Sequence, residues 1–285
     1  MHVRLADEAV ALDSSGPQSY LDAEKILGIC LDREIDTVIP GYGFLSENSE
    51  FAELLHNSDV VFAGPTPETI TEFGLKHRAR ELAKKAGVPV VPGTGIIADL
   101  DDASQQAETL GYPVMVKATA GGGGMGLKVC HTRDELCSAI SAVRARGEAL
   151  FKNSGLFLEK YVQSGRHIEG QIFGNGQGDV LWFGERECSV QRRHQKVLEE
   201  SPSPYVLNHP ELREELRVAS TSLAASIKYK SAGTVEFLVD DETGRFYFLE
   251  MNTRLQVSSR SWSSSSGTDP PRSSMVSQSF ATKSI

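Results

Sequence analysis

Short apolar runs alternate with amphipathic segments along this chain, and turn residues close most of them. Apolar positions at Tyr20, Ile26, Leu27, Ile29 and Leu31 predict a helix over 19–31. Asp36–Pro40 (DTVIP) reads as a short buried strand, 50–56 as a helix and 60–63 as a further short strand. Gly64-Pro-Thr-Pro67 turns the chain into a helix, and 76–86 predicts a strong helix ended by Gly87. The stretch 88–93, with prolines at 89 and 92, reads as an extended linker. Beyond it the pattern predicts helix 103–110, strands 111–117 and 127–131, and helix 134–144. Strands follow at 156–162, 165–173 and 180–183, then an amphipathic helix over 210–227. A hairpin of 233–239 and 246–251 closes around the turn 240–244. Strands alternating with helices predict an α/β chain with a parallel sheet.

Composition narrows the function. The 285 residues are 40% hydrophobic and 24% charged, which fits a globular chain with room for one large or two small domains. A net charge of −9 argues against a general nucleic-acid or membrane-surface binder. No apolar run reaches the roughly 18 residues of a membrane span, and the N-terminus lacks an apolar signal core. Cys30, Cys130, Cys137 and Cys188 have no paired spacing, so they read as reduced thiols of a cytoplasmic protein.

Against that acidic background, Arg192, Arg193, His194 and Lys196 crowd into five residues, flanked by Glu185, Glu187, Glu199 and Glu200. The block is either a balanced surface charge run or a site for a small anion such as bicarbonate or phosphate. Four consecutive glycines, 121–124, follow a predicted strand that ends at Lys117. They form a flexible hairpin tip or a backbone cradle for phosphate, and the adjacent lysine favours the cradle. The loop leads into a strand and carries no Gly-Lys-Ser/Thr, so neither a Walker loop nor a Rossmann fingerprint fits. Glu236 and Glu250 face the same hairpin among apolar neighbours, with Asn252 two residues on. They are either a pair of surface carboxylates or, since unpaired charges among apolar neighbours would be costly, groups satisfied by magnesium bridged to phosphate.

Taken with PGYGFLSEN (40–48), KKAGVPVVPG (84–93), YPVMVKATAGGGGMG (112–126), LEKYV (158–162), RHIEGQ (166–171), GERECSVQRRHQKVLEESPSP (184–204), AGTVEFL (232–238) and FLEMNTRLQV (248–257), the chain resembles the biotin carboxylase family. The resemblance covers nearly all of 1–257. GLKHRAR (74–80) and IPGYGFLSEN (39–48) are most similar to the biotin carboxylase part of urea carboxylase, or urea amidolyase. Acyl-CoA and pyruvate carboxylases are the alternative. Carbamoyl-phosphate synthase shares the chemistry but fits the RRHQK island less well.

The resemblance implies an ATP-grasp fold. It places a partial, Rossmann-like N-terminal domain at 1–75, a helix and linker at 76–93 and a glycine-loop lid at 94–161. An incomplete ATP-grasp core would span 162–257. It implies that ATP phosphorylates bicarbonate to carboxyphosphate, which carboxylates biotin held on a separate carrier domain. Magnesium, or manganese, would accompany ATP. A carboxyltransferase domain and a homo-oligomer are the further partners it implies. Transferred residue by residue, ATP contacts fall on Lys76, Lys117, Gly123, Gly124, the hinge Glu159, Lys160, Tyr161 and Val162, and on His167, Gln191, His194, Glu236 and Glu250. Glu236, Glu250 and Asn252 would hold the metal. Lys196 and Arg254 would be catalytic and, with Gln256 and Val257, would face bicarbonate and biotin.

The departures are as informative. After Gln256-Val257 the family continues Glu-His-Pro, and that glutamate deprotonates bicarbonate; here position 258 is serine. Residues 258–285 are serine-rich without apolar period and are expected to be disordered. The family's opening strand and helix are also missing. The expectation is therefore a chain truncated at both ends that binds ATP without the catalytic base. Two other readings stay open: a non-catalytic ATP-binding partner, or a non-functional product.

Overall fold

The computed structural model describes residues 5–12, 16–119, 126–152, 154–192, 195–256 and 275–278. A 3-10 turn, Pro17–Leu21, leads into α1 (Ala23–Asp32). Then come β1 (Thr37–Val38), α2 (Ser49–His56), β2 (Val61–Phe62), α3 (Pro67–Gly74) and α4 (Lys76–Lys85). Polar residues start α2 and α3. Asn48 Oδ1 accepts from Phe51 N at 2.7 Å, and Thr66 Oγ1 accepts from Thr69 N at 3.3 Å, satisfying orphan first-turn donors. Leu75 cannot cap α4 in this way. Instead Lys76 N donates to the Thr119 carbonyl at 3.0 Å, tying the start of α4 to the end of a distant strand.

A small unit follows: α5 (Leu100–Leu110), β3 (Val114–Ala118), β4 (Leu127–Cys130), α6 (Arg133–Phe151) and β5 (Leu156–Lys160). Its three strands pair antiparallel in the order β4-β3-β5. Val114, Val116, Leu136, Ile140, Leu156 and Leu158 fill its own core.

The large sheet contains β6 (Gly165–Asn175), β7 (Val180–Arg192), β8 (Gln195–Ser201), β9 (Lys230–Asp240) and β10 (Phe246–Asn252), with α7 (Pro204–Leu207) and α8 (Pro210–Ser226) between β8 and β9. Its order is β10-β9-β6-β7-β8, extended by β11 (Met275–Gln278), and every pair is antiparallel. Leu212, Leu216 and Leu223 of α8 pack with Phe73 of α3 and with Ala79 and Ala83 of α4 in one core with Ile168, Val235, Phe237 and Phe248. The linker 88–93 serves both sheets. Phe248 N donates to Pro89 O at 2.7 Å and Lys160 N to Pro92 O at 2.8 Å. Val90 bridges Phe248, and Gly93 bridges Glu159.

Several expectations need correction. The parallel sheet is confined to β1 and β2; the strands after 110 are joined mostly by hairpins, which dictate antiparallel pairing. The strand expected at 36–40 is not buried: Thr37 is exposed and Ile39 is 76% exposed, because β2 is its partner within a two-stranded sheet. The helix expected to end at Arg144 runs on through Gly147 to Phe151. The strand expected to end at Phe183 continues to Arg192, so Arg192 ends β7 and Lys196 lies on β8, while Arg193 and His194 lie outside the described residues. Within the tail expected to be disordered, Met275–Gln278 pairs with Leu198–Ser201; residues 257–274 and 279–285 lie outside the described residues. All four cysteines are free thiols, as their spacing suggested.

Candidate functional site

The antiparallel register gathers charges that lie far apart in sequence. Ile168 pairs with Glu187 and with Phe237, and Glu169 pairs with Arg186 on one side and Glu236 on the other. Glu236 in turn faces Glu250 across β9 and β10. On this surface Lys196 Nζ reaches Glu169 Oε2 at 2.5 Å and Glu236 Oε1 at 2.7 Å. Arg186 Nε holds the other Glu169 oxygen at 2.5 Å, and its Nη1 donates to Gln171 Oε1 at 3.0 Å. His167 Nε2 lies 2.7 Å from Glu236 Oε2, while His167 Nδ1 is 2.8 Å from the Gln191 amide nitrogen. With Nδ1 at the amide nitrogen, Nε2 is the ring nitrogen that faces the carboxylate.

Electrostatics explain why these groups stay charged. Burial works to raise the Glu169 carboxyl, but Arg186 and Lys196 outweigh it and hold it below the usual range. Burial likewise raises Glu236, yet His167 and Lys196 bring it far down. Burial also opposes the Lys196 ammonium; Glu169 and Glu236 overcome that and raise it.

A chain of polar contacts runs on from Glu236. Asn252 Nδ2 donates to Glu236 Oε1 at 2.6 Å, and Arg254 Nη2 donates to Asn252 Oδ1 at 3.0 Å. Arg254 Nη1 donates to Gln256 Oε1 at 2.9 Å, and its Nε donates to Glu47 Oε2 at 2.9 Å. Glu47 comes from the GFLSEN loop and also accepts from Thr253 N at 3.1 Å. The N-terminal unit thereby anchors a residue 207 positions away.

The second group sits where α4 meets the small unit. Lys76 Nζ is 3.5 Å from Glu250 Oε2. Lys117 pairs with Glu159, whose other oxygen pairs with Arg80. Burial pushes the Lys117 ammonium down to about 7; Lys76 and Arg80 add to the push and Glu250 opposes it. Glu159 is the adjoining counter-charge to this ammonium.

Most of the expected residues converge. Lys196, Glu236, His167, Gln191, Asn252, Arg254 and Gln256 share one contact network, and Lys76, Lys117, Glu159 and Glu250 share the adjacent one. Glu159 turns its carboxylate toward Lys117 instead of merely lining a hinge. Lys160 Nζ is committed to the carbonyls of Gly111 and Tyr112, at 2.8 and 3.1 Å, and Tyr161 N donates to Pro113 O at 3.1 Å. Val162 lies two residues beyond the end of β5. Gly123, Gly124, His194 and Val257 lie outside the described residues. Sequence reasoning missed Glu169 as a site residue, together with Arg186, Arg80 and Glu47. The flanking Glu185 and Glu187, expected to balance the basic island, are buried and pair with Arg213 and Arg166.

His167, Glu169 and Glu236 offer ligand atoms within 4.8 Å of one another. Glu236, which already meets Lys196, His167 and Asn252, and Glu250, beside Lys76, are the two carboxylates that the sequence reading gave to a metal. Glu250 keeps 31% of its side chain exposed, and Asn252 Oδ1 has a second lone pair. This oxygen-rich set fits a hard cation such as magnesium. Among the described residues, no helix is long and apolar enough to cross a membrane.

Comparison with known proteins places this geometry. The profile of the carbamoyl-phosphate synthase L chain ATP-binding domain matches residues 76–270, and that of the biotin carboxylase N-terminal domain matches residues 1–70. A provisionally named urea carboxylase of Emericella nidulans is 58% identical over 257 residues, 90% of this chain and 21% of the relative. The urea amidolyase of Lachancea kluyveri is 48% identical over 257 residues, 90% of this chain and 14% of the relative. The crystal structure of a Campylobacter jejuni biotin carboxylase, named as a complex with β,γ-ATP, superposes with a TM-score of 0.89 at 40% identity, covering 94% of this chain and 60% of that one. The chain spans about a fifth or less of the length of these two curated relatives. Together, the profiles, the relatives and the shared ATP-grasp architecture show that this chain belongs to the biotin carboxylase family.

Proposed function

We propose that this chain supplies the ATP- and bicarbonate-binding part of a biotin carboxylase, of the kind found in urea carboxylase. The observation that carries the reading is Lys196 bridging two buried carboxylates beside the Asn252–Arg254–Gln256 chain. Such a cluster holds a strong cation at a fixed point, which is what a small anion must meet before phosphoryl transfer. Lys196 and Arg254 bind and orient bicarbonate, with Glu47 fixing the guanidinium plane. Lys76 and Lys117 meet the polyphosphate, and the strand edge at 159–162 faces the base. Glu236 and Glu250, steadied by Asn252, would hold magnesium, which when bound neutralises charge on the phosphates.

Ser258 stands where the family pattern has its general base, so nucleotide binding is retained here and carboxylation of biotin is not. In the parent protein the partners are a biotinylated carrier domain and a carboxyltransferase domain. Urea as the final acceptor is supported by the identity to urea carboxylase and urea amidolyase. Self-association is part of the proposal, because a related 2-oxoglutarate carboxylase domain is named as a dimer. The test is calorimetric titration with magnesium-ATP alongside an assay of free-biotin carboxylation. Binding that is lost in Glu236→Gln, with no carboxylation, supports the reading. A chain that fails to bind ATP refutes it, and one that carboxylates biotin refutes the role given to position 258.

A further inference from the structure

Arg80 lies one helical turn beyond Lys76 on α4, on the same face. It is almost fully buried, and its guanidinium is committed on three sides. One nitrogen pairs with Glu159, Nη2 donates to the Val91 carbonyl at 3.0 Å, and Cζ lies 5.6 Å from the Phe157 ring centroid. Glu159 gives its other oxygen to Lys117. The row Arg80–Glu159–Lys117 is thus a buried sequence of plus, minus, plus, with side-chain exposures of 7, 7 and 10%.

We propose that Arg80 is a positioning residue for the nucleotide-binding lysine: by holding one Glu159 oxygen, it fixes where that carboxylate sits and leaves Lys117 available to an incoming polyphosphate. The proposal rests on the nucleotide reading of the site. A lysine paired alone with a buried carboxylate forms a neutral unit, and the carboxylate then competes with phosphate for the ammonium. A second cation on the same carboxylate weakens that competition and fixes where the carboxylate sits. A guanidinium suits this place because its rigid planar fork holds a carboxylate and the linker carbonyl in fixed directions, which a freely rotating ammonium does not fix. Burial lowers its guanidinium only to about 10, so it stays charged at neutral pH. The backbone makes room for it: a Cβ added at Gly93 would stand 2.9 Å from Arg80 Nη2 and 2.5 Å from the Leu158 carbonyl.

The test compares ATP and adenosine affinities of the full chain by calorimetry, with thermal melts as the control for folding. Arg80→Met is expected to weaken ATP about tenfold, equivalent to about 1.4 kcal/mol, while adenosine changes less than about twofold. Arg80→Lys should recover part of the loss. In a Lys117→Met background, Arg80→Met should add less than about twofold, since the two residues act as one unit. Equal losses for ATP and adenosine, unchanged ATP affinity, or the same tenfold loss without Lys117 would each overturn the proposal. If Arg80→Met gives no cooperative melt, Arg80→Lys decides: an ATP-selective loss of about threefold supports the role, and wild-type affinity overturns it. A wild-type chain that binds no ATP fails at the first titration, and that outcome removes the nucleotide reading itself.

Discussion

Replacing Arg186 by methionine probes the centre of the acidic site. Arg186 is 1% exposed, as is its partner Glu169. The change removes the 2.5 Å ion pair and the bonds to Gln171 Oε1 and Thr234 Oγ1. Stranding one member of a buried pair costs about 3–5 kcal/mol. Lys196 still reaches Glu169 Oε2, so the expected loss is near the lower end of that range, roughly 6–12 °C in melting temperature. Glu169→Met alone strands the arginine at a similar cost. Removing both charges leaves neither stranded, so the double variant should lose far less than the sum of the singles. The pH dependence has a definite sign. Glu169 is held below its ordinary value, so its contribution is complete above the unfolded carboxylate pKa of about 4.3 and fades as pH falls toward the folded value. In Arg186→Met the carboxyl moves up and is protonated more easily, so the penalty should be smaller at about pH 5.5 than at about pH 8. Urea unfolding followed by the fluorescence of Trp182 on β7 measures all three variants. A loss under about 1 kcal/mol, an additive double variant, or a larger penalty at the lower pH would refute the reasoning.

Other perturbations test the same site from outside. Burial pushes the Lys117 ammonium down to about 7, and phosphate binding requires that ammonium. ATP binding should therefore take up a proton and weaken as pH rises from about 7 to about 9, and Lys117→Met should flatten that dependence; calorimetry in buffers of different ionisation enthalpy reads both. Glu236→Gln removes the carboxylate charge shared by Lys196, His167 and Asn252. It should erase most of the magnesium enhancement of ATP affinity, about tenfold, and a variant with unchanged magnesium dependence would exclude Glu236 as a ligand.

The periodicity of the chain carried most of its elements, because caps such as Asn48 and Thr66 and the 240–244 turn act locally. Lys117, Glu236 and Glu250 were equally legible, since each interrupts an apolar strand where a charge needs a reason. Arg186 was not. In the run 185–188 every residue is buried, because one sheet face is covered by α8 and the other holds the site. Alternating glutamate and arginine there looks like a solvated strand. Arg80 looked like one more surface charge of a basic helix; only the packing of α4 against β5 and the linker buries it. Glu47 and Arg254 lie too far apart in sequence for any local pattern to join them. The end of α6 was misplaced for a different reason: Gly147 reads as a stop, but the helix carries it without a break.

The linker that serves both sheets also limits how they can move. Pro89 is clamped to β10 and Pro92 to β5, and both have fixed φ. Between the clamps lie Val90, itself bridged to Phe248, and Val91, so little of this linker is left to turn; the chain crosses between the sheets again between β5 and β6. Arg80 grips the Val91 carbonyl, between the clamps. Points near the linker travel little in a swing about it, and β5 places Glu159 and Lys160 there. The opposite end of the strand pair, where Ala118 meets Leu156, is roughly 13 Å out along the lever. A rotation that opens the phosphate end would have to break the Lys76 N–Thr119 O bond beside Ala118, while it leaves the Arg80–Glu159 charges nearly in place.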